Sequence, residues 1–493
     1  MSMIRIEDLS FSYDNGFEKI FDHVSFVLDS DWKLGLIGRN GRGKTTLLKL
    51  LMGYYEYQGK IISPMKFDYF PYVIDEPYRL VQQIFSELCP EAQDWELVKE
   101  LSYLNMNKDV LWQSYELLSQ GEQLKVLLAM LFLHKDRFLL IDEPTNHLDS
   151  QGRDAVANYL QRKTGFILVS HDRCFLDRCI DHIMVLNKNS IEIQKGGFSL
   201  WFEQYQKNQS REMQKNEQLK KEIKVLKQAA LRTSLWSDQV EASKKGAWDK
   251  GYVGHKAAKM MKRSKTLEAR QQKAIQSKTQ LLKNTETTDD LKIRPLPSKG
   301  IVVTFDHVSI FYDHKRVCHN VSFTVGAHER VVLSGKNGCG KSSLLKLLLG
   351  EKIDYRGSLF FDRGKIISYV SQDITWLQGD LQQFARENKI DESLFKTILR
   401  KLGLERIDFE KKLEDFSDGQ KKKVLLACSL CQSAHLYIWD EPLNYIDVFS
   451  RIQIEELIKE FQPAMILVEH DRMFCNRVGD RVICLDENYL DKK

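Results

Sequence analysis

Proline is scarce in this 493-residue chain, nine in all, and none stands between Trp201 and Arg294. That stretch therefore contains nothing that removes a helix amide donor or forces a kink. Long hydrophobic runs are also missing. The longest, Val126 to Leu133, falls far short of the roughly 20 residues that a membrane span needs. The opening MSMIRIEDLS lacks the basic-then-apolar pattern of a secretory signal. These absences predict a cytoplasmic protein that does not itself enter a membrane. Nine cysteines are scattered, and the one Cys-x-x-Cys, Cys428 to Cys431, lies in an apolar helical pattern. No second pair stands near it to complete a metal site, so buried thiols are expected rather than a disulfide or metal framework.

Charge is present but uneven. The chain carries +5 overall, while residues 201–300 hold 23 Lys and Arg against 11 Asp and Glu, a local +12 that leaves the remainder at −7. Two mildly acidic bodies flanking a basic connector point to a polyanionic partner for the connector. The length suits two domains and a connector rather than a single core.

The chain repeats itself. Lys44 and Lys341 are 297 positions apart, Gly121 and Gly419 298, Glu143 and Glu441 298, and His171 and His470 299. Four features in one order at one offset predict a tandem duplication, with domains at 1–200 and 300–493 and a connector at 201–299. Each half opens on a β-like run, Met3–Leu9 or Ile301–Val308. Each then has an apolar strand (Leu34–Ile37; Val331–Leu333), a glycine-rich loop and a leucine-rich helix. Later strands end in Asp-Glu and in His-Asp (Phe166–Ser170; Met465–Glu469). Apolar strands alternating with helices predict an α/β fold with a mainly parallel sheet covered on both faces.

The glycine loops are Gly38-Arg39-Asn40-Gly41-Arg42-Gly43-Lys44-Thr45 and Gly335-Lys336-Asn337-Gly338-Cys339-Gly340-Lys341-Ser342. Such a loop entering a helix turns backbone N–H groups toward phosphate. Gly38, Asn40, Gly41, Gly43 and Gly335, Asn337, Gly338, Gly340 are the candidates for cradling ATP. Lys44 and Lys341 would reach its terminal phosphates, with Thr46 and Ser343 alongside. Thr45 and Ser342 would ligate Mg²⁺. Phe138 to Asp142 and Leu436 to Asp440 read as Walker B strands, whose Asp142 and Asp440 would hold the Mg²⁺ shell. Glu143 and Glu441 follow directly and can orient or deprotonate the attacking water.

Leu118-Ser119-Gln120-Gly121-Glu122 and Phe416-Ser417-Asp418-Gly419-Gln420 resemble the signature loop of ATP-binding cassette (ABC) proteins. His171 and His470 match that family's switch histidine. Asn146-His147-Leu148-Asp149 and Asn444-Tyr445-Ile446-Asp447 match its D-loop, and Gln372 its Q-loop glutamine. Tyr13 and Tyr312 stand where an aromatic stacks on adenine. The resemblance implies two tandem ABC-type ATPase domains closing head to tail within one monomer. Lys44, Asp142, Glu143 and His171 would then work with Ser417 and Gly419, and Lys341, Gln372, Asp440, Glu441 and His470 with Ser119 and Gly121. It also implies that Gln372 touches the nucleotide and the Mg²⁺ shell. Three positions depart from the pattern: Tyr72 replaces the first Q-loop glutamine, Asp418 a signature glycine, and Leu443 stands where the first half has Thr145. Two sites of unequal rate are expected, the one containing Tyr72 the slower.

The connector reads as helix, tip, helix. Its first arm is expected over about Leu200–Leu235, striped by Leu219, Ile223, Leu226 and Ala230; its second is expected over about Gly254–Lys283. Thirty helical residues reach roughly 45 Å. Trp236, Trp248 and Tyr252 are expected at the tip, with Lys244, Lys245 and Lys250 among them. Lys256, Lys259, Lys262 and Arg263 follow. Cations with aromatic platforms suit RNA rather than DNA.

This layout resembles the F class of ABC proteins. Only 47 positions separate Tyr72 from Ser119, against 45 between Gln372 and Ser417, so no arm subdomain is inserted; the chain ends 23 residues after His470, without a long tail. Within the class the pattern is most similar to the antibiotic-resistance branch. Membership there implies a partner, the 70S ribosome, entered at the E site with contacts to 23S rRNA and the P-site tRNA. It further implies protection against lincosamide, streptogramin A and pleuromutilin drugs, with Trp248 reaching deepest. A housekeeping factor for stalled ribosomes and the ATPase subunit of a drug exporter are the competing readings.

Overall fold

The computed structural model describes residues 3–13, 19–134, 136–145, 148–187, 190–242, 292–312, 315–362, 364–404 and 406–485. The chain divides into two units, Met1–Ser199 with Asp289–Lys493, and Leu200–Thr288. Both repeats belong to the first unit.

Each repeat carries a mainly parallel sheet in the same strand order. In the first half the order is Lys66–Phe70, Arg137–Asp142, Phe166–Val169, Lys33–Gly38, His182–Leu186 and Ile191–Lys195, only the last pair being antiparallel. In the second it is Ile367–Val370, Leu436–Asp440, Met465–Val468, Arg330–Ser334 and Arg481–Cys484, all parallel. Phe138, Leu139, Leu140 and Ile141 are all buried, as a central strand covered on both faces requires. The register Asp142↔Val169 and Asp440↔Val468 brings the Asp-Glu and His-Asp strand ends side by side.

The opening β-runs do not enter these sheets. Met3–Phe11 lies between Phe21–Asp29 and Gln58–Ile62, and Ile301–Tyr312 between Lys315–Gly326 and Asp354–Phe361, each in a separate antiparallel sheet of three strands. The mainly parallel sheet expected in each half is present, and an antiparallel sheet that was not expected stands beside it. Ile4, Leu36 and Leu47 share one apolar cluster, and Val303, Leu333 and Leu344 its counterpart. Antiparallel sheet, glycine-loop strand and leucine-rich helix thus form one packed body, each buried leucine worth about 1.5–3 kcal/mol.

The helix Phe198–Ala242, all but its first two residues in the second unit, runs 45 residues, about 67 Å at 1.5 Å per residue. It outruns the expected Leu200–Leu235, because no proline or glycine stops it where the apolar stripe ends. Trp236, expected at the tip, lies inside this helix. Lys244, Lys245, Trp248, Lys250, Tyr252, Lys256, Lys259, Lys262, Arg263 and the second arm lie outside the described residues. No helix among the described residues is long and apolar enough to cross a membrane.

Candidate functional site

Both glycine loops leave a parallel strand and enter a helix, at Lys44–Leu51 and Lys341–Leu348. Gly43 (φ 88°) and Gly340 (φ 94°) cap these helices in the left-handed region. A side chain at Gly43 would also collide with Ile20, 2.6 Å from the place of its Cβ, so the loop needs glycine there twice over. Lys44 Nζ folds back to the Gly38 carbonyl at 2.8 Å and Asn40 Oδ1 at 3.2 Å. Lys341 Nζ does the same to Gly335 and Lys336, both at 2.8 Å. The Tyr13 hydroxyl is 2.9 Å from Thr46 Oγ1, and Tyr13 and Tyr312 are both exposed.

Asp142 Oδ2 accepts from Thr45 Oγ1 and from the Tyr69 hydroxyl, each at 3.0 Å. Both oxygens of Asp440 are buried without a hydrogen-bond partner among the described residues. Burial pushes Asp440 up to about 6. Orphaned carboxylate oxygens at the foot of a phosphate-type loop fit a divalent cation, so the residues present suit Mg²⁺.

Glu143 (φ 50°) and Glu441 (φ 48°) both sit in the left-handed region. Their amides are pinned to Val169 and Val468 carbonyls, each at 2.9 Å. Switch and glutamate pair in both halves: His171 Nε2 is 3.4 Å from Glu143 Oε1, and His470 Nε2 3.6 Å from Glu441 Oε1. Burial, with Lys44 and Arg451 nearby, holds His171 well below the ordinary histidine range, so it is neutral. The surroundings of the two glutamates then differ. Glu441 Oε2 accepts from Gln372 Nε2 at 3.0 Å and Asn444 Nδ2 at 2.8 Å. In the first half Tyr72 is exposed, while Asn146 and His147 lie outside the described residues. Burial and then Asp142 push Glu143 up to about 8. At Glu441 burial also raises, but His470, Lys422 and Asn444 outweigh it and hold the group down at about 2.

The signature loops face the opposite half. Ser119 and Ser417 are the N-caps of Gln120–Leu131 and Asp418–Cys431. A cavity of about 440 Å³ is lined by Ser119 and Gly121 from the first half and by Asn337, Gly338, Gln372, Glu441 and His470 from the second. On the other side Asn40 Nδ2 donates to the Tyr445 carbonyl at 2.8 Å, and Gly419 lies so close to Tyr445 that a Cβ there would be 3.0 Å away. Thr45, Ser342 and Ser343 begin the two glycine-loop helices.

Sequence reasoning missed the salt links between the halves. Arg173 pairs with Glu455, both almost fully buried, and Arg472 Nη2 reaches Asp154 Oδ2 at 2.6 Å. Arg173 and Arg472 each stand two places after the switch histidine, a repeat that could have flagged them. Lys422, buried in the second signature helix, was also missed.

The family model described as ABC transporter matches residues 21–146 and 318–444, just over half the chain. The ribosome protection protein VmlR of Bacillus subtilis (strain 168) is 27% identical over 501 residues, covering 98% of this chain and 87% of that protein. ABC transporter F family member 2 of Arabidopsis thaliana is 25% identical, covering 98% and 76%. Among solved structures, the archaeal ribosome recycling factor aABCE1, in complex with ribosomal stalk protein aP1, shares the fold with a TM-score of 0.62 at 20% identity, covering 97% of this chain and 87% of that one. The chain belongs to the ABC transporter family, as an ATPase with two ABC domains in tandem.

Proposed function

We propose that this ATPase works on the ribosome and protects it from antibiotics of the peptidyl-transferase centre. The observation that carries the reading is the cavity shared between Ser119–Gly121 and Asn337–Gly338–Glu441, because a site completed only by the opposite half makes closure depend on ATP. At each site the loop amides and Lys44 or Lys341 bind the phosphates. Thr45 with Asp142, and Ser342 with Asp440, are the residues that would hold Mg²⁺. When bound, that ion neutralises charge on the phosphates. Glu143 and Glu441 take the proton of the attacking water, positioned by His171 and His470. Ser417 with Gly419, and Ser119 with Gly121, add donors at the terminal phosphate from across the interface. Hydrolysis removes what holds the halves together and releases the ribosome.

The ribosomal part rests on the basic connector and on similarity to a protein named for ribosome protection. The helix Phe198–Ala242 runs 45 residues in the connector. Lys244, Lys245, Lys250, Lys256, Lys259, Lys262 and Arg263 would meet rRNA and the P-site tRNA through the E site, and Trp248 and Tyr252 would stack there. Lincosamides, streptogramins A and pleuromutilins are the drug classes proposed. The test has two arms. The Glu143→Gln, Glu441→Gln double variant with ATP is expected to co-sediment with 70S ribosomes; no trapping removes the ribosomal reading. Expression in a susceptible host is expected to raise the inhibitory concentration of these drugs. Trapping without protection would favour the housekeeping role in stalled translation.

A further inference from the structure

Lys422 lies in the helix Asp418–Cys431 and is 3% exposed. Its ammonium reaches two main-chain oxygens, donating to the Ser371 carbonyl at 2.8 Å and to the Asp440 carbonyl at 3.1 Å. These carbonyls belong to the residues directly before Gln372 and Glu441. Gln372 Nε2 in turn donates to Glu441 Oε2 at 3.0 Å. One buried cation therefore grips both backbone segments whose side chains meet at the glutamate. A charge-assisted bond to each carbonyl is stronger than a neutral one, and a buried cation has no water to turn to instead.

Among the described residues the first half has no such grip. At the 298-residue offset of the signature loops, Leu124 stands in place of Lys422; at the 300-residue offset that aligns Tyr69 with Tyr369, Tyr72 stands in place of Gln372. Where the glutamine is missing, so is the ammonium that would set it. The two departures make sense as one device, kept in one half and dispensed with in the other.

We propose that Lys422 is a positioning residue of the site built on Lys341. It clamps the Gln372 loop to the end of the Asp440 strand, so that Gln372 holds Glu441 in register for attack by water. Its lack of a counterpart, together with Tyr72, makes the site built on Lys44 the slower one. The inference rests on Glu441 being the hydrolytic carboxylate of its site, as assigned under Proposed function.

The experiment uses full-length Glu143→Gln protein, in which turnover comes from the second site. Adding Glu441→Gln must abolish that turnover; if it does not, the assignment of Glu441 falls, whatever Lys422 does. Lys422→Leu installs the residue that the first half itself carries at this place in its helix. It is expected to lower kcat about tenfold or more while KM for ATP changes no more than about twofold, and Lys422→Arg to recover most of the loss. Combined with Gln372→Ala, Lys422→Leu is expected to cost no more than the worse single variant, because both act through one contact. A fluorescent ATP analogue reports binding and folding in every variant. Should Lys422→Leu fail to bind it, Lys422→Met takes its place in the same cycle. A kcat within about twofold of the parent, or full additivity with Gln372→Ala, overturns the clamp.

Discussion

Glu143 and Glu441 share a backbone and a neighbouring histidine, and differ in what else surrounds the carboxylate. Each is held in the left-handed region, at φ 50° and 48°, a strain of about 1–3 kcal/mol that the neighbouring strand must outweigh. Amide bonds of 2.9 Å to Val169 and Val468 do the holding. A carboxylate can take a proton only when it is ionised. Burial, and then Asp142, push Glu143 above the usual carboxylate range. Glu441, kept at about 2 because His470, Lys422 and Asn444 outweigh burial, is ionised throughout. The sign follows directly. Hydrolysis at the first site, isolated in Glu441→Gln protein, should rise with pH, because its glutamate is held above the usual carboxylate range. Hydrolysis at the second, isolated in Glu143→Gln protein, should stay level across roughly pH 6–9. Single-turnover phosphate release against pH measures both. Two superimposable profiles would mean that the difference in surroundings does not reach the chemistry.

The signature helices show how an element serves a site it does not belong to. Ser417 caps Asp418–Cys431 by accepting from the Gln420 amide at 3.3 Å, and the Ser417 amide in turn donates to Gln420 Oε1 at 3.0 Å. Losing such a cap costs about 1 kcal/mol. Ser417→Ala is therefore expected to lower stability by about that much in urea unfolding, and to slow hydrolysis at the site of Lys44 more than at the site of Lys341. Slowing confined to the Lys341 site would reverse the head-to-tail pairing. Elements of this kind were legible in sequence because they are local: a glycine that must take positive φ, an apolar strand ending in Asp-Glu, a serine ahead of a helix. The antiparallel sheets were less so. Gln58–Ile62 and Asp354–Phe361 have no fully buried residue, so they leave no apolar pattern. The connector helix was underestimated because its expected end followed the apolar stripe, whereas its length follows the lack of breakers. Lys422 and Arg173 stayed hidden because their partners are fixed by the fold; Arg173 meets Glu455 across 282 positions.

Between the halves the same plan is executed twice with different burial. Arg173 crosses to Glu455 on the helix Val448–Phe461, and Arg472 to Asp154 on Ser150–Gln161. Each acid also takes an arginine from its own half, Arg477 at 3.2 Å for Glu455 and Arg178 at 2.5 Å for Asp154. The side chains of the first link are 1% and 2% exposed, those of the second 56% and 35%. Geometry alone would rank the links as equal; solvent does not. Removing Glu455 strands a guanidinium in a dry interface, where Asp471 at 3.8 Å is the remaining acid paired with it among the described residues. Breaking a buried pair in this way costs about 3–5 kcal/mol. Removing Asp154 returns Arg472 to water, and exposed pairs are worth about 0–1 kcal/mol. Glu455→Ala is thus expected to lower the urea midpoint far more than Asp154→Ala. Added salt should erase the smaller loss, since charges in water are screened over about 8–10 Å, and leave the larger one standing. Equal losses, or an equal response to salt, would show that the two links are equally wet in solution and that the halves part as readily on either side.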